Sequence, residues 1–214
     1  MPEEAGNRTR RSSVPKKPGL MMSLEEARAI ADMKGSHEIM DHLLFEAYPR
    51  KGKRYPKLTY EDWLTLLGNE WIRCDRGISL FQPELQEALP HRGPVRLMMT
   101  DEENAAYDAL PEVVTIFRGC DATSASIPGI CRSLNKDVAN LYPFLRRFQA
   151  KKPTLLTACV GKHWVLAVKL ERQEEEIITF AQDVKMIRPA DRARADVYLA
   201  ACTARQKKMD EAYA

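Results

Sequence analysis

The strongest constraint on this chain is a change of hydrophobic period at Pro111. Ahead of it apolar residues recur every three or four positions, as amphipathic helices require; after it they come in short β-branched and aromatic runs. SLEEARAIADM opens with Ser23 and carries Glu26 three residues on, the spacing at which two side chains cap a helix start reciprocally, and Gly35 closes it. A second helix starts at Ser36 and gathers Ile39, Leu43 and Leu44 on one face. PRKGKRYPK, residues 49–57, breaks the period with two prolines, a glycine and five basic residues and reads as an exposed loop. Thr59 opens a third helix whose stripe of Trp63, Leu66, Leu67 and Trp71 belongs to a core. Shorter helical pieces follow at QPELQEAL and behind the Thr100/Glu103 cap.

Beyond Pro111, EVVTIFRG is a strand ending on a glycine, and ICRSL is a shorter one leading into a helix opened by Asn135 and split or kinked at Pro143. TLLTACVG, HWVLAVKL, EEIITF and DVKMI are then strand-like runs at short spacing. Too few residues separate them for crossover connections, so the sheet should be mostly antiparallel. From Pro189 an Ala/Arg-rich helix with proline in its first turn closes the chain. The expected organisation is α+β: a disordered basic leader over residues 1–20, a helical lobe over 21–110, and a β core with a C-terminal helix over 111–214.

Charge and composition narrow the function classes. Residues 1–20 hold five of the 33 basic and two of the 30 acidic residues, leaving 28 of each sign on the body. A neutral body argues against a nucleic-acid-binding domain, which carries its basic excess on the folded part. The leader has no apolar signal segment and no apolar run reaches the length of a membrane span, so a chain without membrane association is expected. Five cysteines without CxxC spacing or nearby histidines fit reduced thiols in the cytoplasm and no metal site.

The most unusual local feature is RQEEEIIT, which crowds Glu174, Glu175 and Glu176 against two β-branched residues. If residues 174–178 are extended, alternation puts Glu174 and Glu176 on one side, where each carboxylate disfavours ionisation of the other. Arg118 stands at a strand end, where its guanidinium can grip a phosphate as a fork, followed by Gly119, which lets a ligand approach the backbone. Cys131 and Ser133 place small polar side chains on a second strand.

An arginine, a hydroxyl strand and a glutamate ahead of an Ile-Ile strand, in that order, resemble the arginine–serine–glutamate class of mono-ADP-ribosyltransferases, over roughly Val113 to Ile187 and nearest to small bacterial and phage members. The resemblance implies an ADP-ribosyltransferase-type β core, NAD as substrate and a protein acceptor, with arginine favoured as the modified side chain by Glu-x-Glu. It also implies roles: Arg118 binds NAD phosphate and ribose, Gly119 meets the nicotinamide amide through its backbone, and Glu176 holds the nicotinamide ribose, with Glu174 as the first glutamate of the pair. Tyr142 or Phe144 would stack on nicotinamide. The chain departs from the usual Ser-x-Ser or Ser-x-Thr in having Cys131 first, with Arg132 between it and Ser133. A thiol donates more weakly than a hydroxyl, so the link that orients Glu176 is weakened. A catalytically silent binding module and an NAD glycohydrolase, with water as acceptor, are the alternatives. His163, His37, His42 and His91, and a cysteine nucleophile at Cys120 or Cys131, rank below these because no histidine is placed to serve them.

Overall fold

The computed structural model describes residues 21–36, 38–49, 57–74, 78, 80–123, 129–146, 148–171, 175–180 and 183–212. The expected leader, most of the 49–57 loop, His37 and Glu174 lie outside them.

In the first half, local capping sets the helix starts. Helix α1, Leu24–Met33, begins on the Ser23/Glu26 box, with Ser23 Oγ accepting from the Glu26 amide at 3.2 Å and Glu26 Oε2 accepting from the Ser23 amide at 2.9 Å. Helix α2, Ile39–Asp41, runs on into a π-helical stretch, His42–Ala47, that buries Leu43, Leu44 and Ala47. Thr59 caps α3, Tyr60–Glu70, and the Trp63, Leu66, Leu67 and Trp71 stripe is buried as its period requires. Helix α4 is Gln82–Ala88, and α5, Asp101–Asp108, starts on the Thr100/Glu103 box. Lys57, expected in the exposed loop, is instead buried, its ammonium donating to the carbonyls of Phe45 and Tyr48.

The second half supplies one six-stranded, wholly antiparallel sheet: β1 (Val113–Asp121), β2 (Cys131–Ser133), β3 (Pro153–Gly161), β4 (Ala167–Lys169), β5 (Glu176–Ile178) and β6 (Asp183–Pro189), in the spatial order β4-β5-β2-β1-β3-β6. The fold is therefore α+β. Helix α6, Lys136–Leu141, follows β2 and is capped by Asn135, whose side-chain oxygen accepts from the amides of Asp137 and Val138; Pro143 turns the next residues into a short 3-10 piece, Tyr142–Phe144. Helix α7, Arg192–Ala212, closes the described chain.

Three expectations are corrected. β1 does not stop at Gly119 but pairs with β3 as far as Asp121. The strand expected over 163–170 is shortened to β4, Ala167–Lys169, because its first two residues belong to a 3-10 turn, Lys162–Trp164, held by the Lys162 carbonyl accepting from the Val165 amide. Pro189 ends β6 rather than opening α7, which starts on Asp191, whose carboxylate accepts from the Arg194 amide at 3.0 Å.

Helices and sheet share one apolar core, running from Ala27 through Trp63 and Leu85 to Val114, Val168 and Ile177. Among the polar side chains buried with it is an ion pair, Lys169 Nζ to Glu103 Oε2 at 2.8 Å. Glu103 is used completely: it also accepts from the Thr100 amide at 2.9 Å and the Leu170 amide at 3.1 Å. The same side chain thus caps α5 and ties it to the end of β4.

One feature of the sheet positions the site. β1 and β2 are in register at a single pair, Phe117 with Ser133. From there β1 continues on β3, while β2 pairs with β5, Ser133 standing opposite Glu176 and Cys131 opposite Ile178. The two strands part just where Arg118 and Cys131 lie.

Candidate active site

A cleft of about 430 Å3 opens where β1 and β2 separate, within the range of small-molecule sites. Its walls are Phe117–Asp121 from β1, Gly129–Ser133 around β2, Glu176 from β5, residues of α6 and the turn after it, and Trp71 from the helical half. Arg118, Gly119, Cys131, Ser133, Tyr142 and Glu176 all line it. Phe144 does not; its ring faces the Arg192 guanidinium 5.2 Å away, beside α7. An aromatic missed from sequence, Phe148, lines the cleft instead, its ring 5.5 Å from that of Tyr142.

The guanidinium of Arg118 is seated by the main chain of the facing strand. Its Nη1 donates to the Cys131 carbonyl at 2.8 Å, and its plane lies against the Cα of Gly129, where a Cβ would stand 2.2 Å from Nη2. Arg132 brings a second guanidinium to the same place: its Nη1 donates to the Cys131 carbonyl at 3.0 Å and to the Gly129 carbonyl. Burial, and next the charge of Arg118, push the pKa of Arg132 down to about 10, so Arg132 stays cationic at neutral pH.

Gly119 also has a packing role. A Cβ there would sit 1.9 Å from the Ala139 carbonyl oxygen and 2.5 Å from the Pro143 ring. The missing side chain lets α6 and its following turn close onto β1, while the Gly119 main chain still lines the cleft.

The thiol of Cys131 lies beside the Glu176 carboxylate. Burial, then the charge of Glu176 and a hydrogen bond to it, raise the pKa of Cys131 well above the ordinary thiol value, so Cys131 stays protonated and donates S–H to the Glu176 carboxylate. A protonated, hydrogen-bonded thiol is a poor nucleophile. Ser133, two residues on, exchanges hydrogen bonds with the Asn135 main chain, accepting from its amide at 2.9 Å and donating to its carbonyl at 3.0 Å. It thereby shapes the exit from β2 into α6.

The extended reading of 174–178 is overturned at Glu175. Its φ is 46°, the left-handed region, and its carbonyl accepts from the Leu134 amide at 2.9 Å. Strand β5 starts only at Glu176, so alternation says nothing about Glu174. Asp121, which also lines the cleft, accepts from the amide and hydroxyl of Thr123 and from the amides of Lys151 and Lys152, contacts that hold its carboxyl well below the ordinary range.

His42 is buried in the helical half, contacting Glu46 at 2.7 Å and the Ala27 carbonyl at 3.1 Å, far from this chemistry, and His163 packs beside Trp164. Among the described residues no three His, Cys, Asp or Glu side chains gather as a metal ion would need, and no helix is long and apolar enough to cross a membrane. No protein-family model, no curated protein and no solved structure matches the chain.

Proposed function

We propose that this chain is an NAD-dependent mono-ADP-ribosyltransferase that transfers ADP-ribose to a protein side chain, arginine by preference, and releases nicotinamide. The observation that carries the proposal is the convergence in one cleft of Arg118, Cys131, Ser133, Tyr142 and Glu176, drawn from three neighbouring strands and the turn beyond α6. Cationic donors and a fixed carboxylate in one concavity fit a ligand with anionic phosphates at one end and a sugar that becomes positively charged at the other. When the nicotinamide–ribose bond breaks, positive charge builds on the ribose, and a carboxylate already oriented by a hydrogen bond stabilises it without reorganising. Glu176, held by Cys131, is suited to that task. Arg118, fixed against Gly129, is suited to the phosphates, and the Tyr142 and Phe148 rings give an apolar surface on which a planar base stacks.

The test is nicotinamide release from NAD by purified protein and Glu176→Gln, with and without a cell lysate as acceptor. Release by the wild type that falls about 100-fold or more in Glu176→Gln is expected, from the usual worth of a single group stabilising transition-state charge. Equal release by both proteins overturns the assignment of Glu176. The thiol at position 131 favours one alternative, a catalytically silent module, which predicts ADP-ribose binding with no nicotinamide release under any condition.

A further inference from the structure

Arg132 is a costly residue for its place. It is 4% exposed, and its Nη2 is buried with no acceptor among the described residues. A buried cation needs either a counter-charge or a full set of acceptors. Arg132 has two main-chain carbonyls on one nitrogen and, beside it, a second cation in Arg118. Trp71, which lines the same cleft from the helical half, presents the same deficit: it is 1% exposed and its indole Nε1 has no acceptor among the described residues. Two unused buried donors and two adjacent guanidiniums line one cavity.

We propose that Arg132 is a phosphate-binding residue, which with Arg118 forms a double-guanidinium subsite for a diphosphate group, with Trp71 supplying a third donor. A diphosphate offers each of the two adjacent guanidiniums its own phosphoryl oxygens, matches the planar fork of each, and leaves an oxygen for the unused Nη2 of Arg132. The convergence of both Nη1 atoms on the Cys131 carbonyl fixes the spacing of the two forks before any ligand arrives. That the diphosphate belongs to a dinucleotide rests on the function proposed above; the anion subsite itself rests on the cleft alone.

Inorganic pyrophosphate, orthophosphate, ADP-ribose and adenosine, titrated calorimetrically into the full chain, give the test. Pyrophosphate should bind at least tenfold more tightly than orthophosphate, and Arg132→Met should weaken pyrophosphate and ADP-ribose by about 10- to 100-fold while leaving adenosine within twofold. Wild-type protein that does not bind pyrophosphate, or Arg132→Met that binds it within twofold of wild type, overturns the proposal. Should Arg132→Met fail to fold, side-chain NMR of isotope-labelled arginine in the wild type decides, with Arg118→Lys used for assignment. A guanidinium signal of Arg132 that shifts on saturation with pyrophosphate supports the subsite, and one that stays put removes it. The two proposals fail separately. Arg132-dependent pyrophosphate binding without nicotinamide release keeps the subsite and removes the transferase, while nicotinamide release with unchanged ADP-ribose affinity in Arg132→Met does the reverse.

Discussion

Cys131 and Glu176 are diagonal neighbours on adjacent antiparallel strands, and the thiol of the first hydrogen-bonds the carboxylate of the second. Diagonal cross-strand pairs lie about 7–8 Å apart at Cα, within reach of a thiol and a glutamate side chain. A thiol, a weaker donor than a hydroxyl, thus stands where it reaches the glutamate.

Replacing that donor should tune the chemistry in both directions. Cys131→Ser is expected to raise nicotinamide release about two- to tenfold, and Cys131→Ala to lower it about tenfold, from the typical worth of a hydrogen bond to a charged group. Initial rates at saturating NAD check this, and equal rates for all three proteins would show that position 131 does not orient Glu176.

Two glycines of the cleft should respond unequally to a single methyl group. Gly119→Ala meets main chain and a proline ring that have no room to move, so a loss of about 3 kcal/mol in urea unfolding is expected. A Cβ at Gly129 presses instead on the guanidinium of Arg118, which can swing aside only by giving up its bond to the Cys131 carbonyl, so Gly129→Ala should cost less, about 1 kcal/mol, while pyrophosphate binding weakens.

Asp121 should make the fold acid-sensitive. Its folded pKa lies below the unfolded value of about 3.9, so it contributes stability that is fully present above that pH and is lost as pH falls through the folded pKa. Asp121→Asn should therefore be less stable than wild type at pH 7, with the gap narrowing below pH 4. Urea unfolding at pH 7 and pH 3 is the check, and a gap that stays constant refutes it.

The buried ion pair is expected to be the most sensitive point outside the cleft. Glu103→Gln leaves the Lys169 ammonium buried without its counter-charge, a change that costs about 3–5 kcal/mol in comparable cases. Denaturant unfolding measures it, and a loss below about 1 kcal/mol would show that Lys169 finds other partners.

What could be read from sequence was what the chain decides locally. The caps at Ser23, Thr59, Thr100 and Asn135 each involve a side chain and a backbone amide two or three residues apart, so their spacing alone announces them. Arg118, Cys131, Ser133, Tyr142 and Glu176 do meet in the cleft. Arg132 was passed over because strand alternation separates it from Cys131 and Ser133, and its importance depends on how far β1 and β2 diverge, which is a long-range property. An arginine within a short strand bound for a buried sheet was the available signal. Nothing in a glutamate foretells the left-handed turn at Glu175, and the contact of Phe144 with Arg192 of α7, while Tyr142 lines the cleft, joins parts of the chain far apart in sequence.

The single pair Phe117 and Ser133 leaves the sheet as two three-stranded plates with almost no backbone stitching between them. Across that seam the Arg118 side chain acts as a suture, tying β1 to the main chain of β2 at the Cys131 carbonyl. The atoms suited to gripping a ligand are thus among those that hold the plates together, so mechanical integrity and recognition draw on one set of contacts. A chain built this way has little freedom to discard its site and keep its sheet.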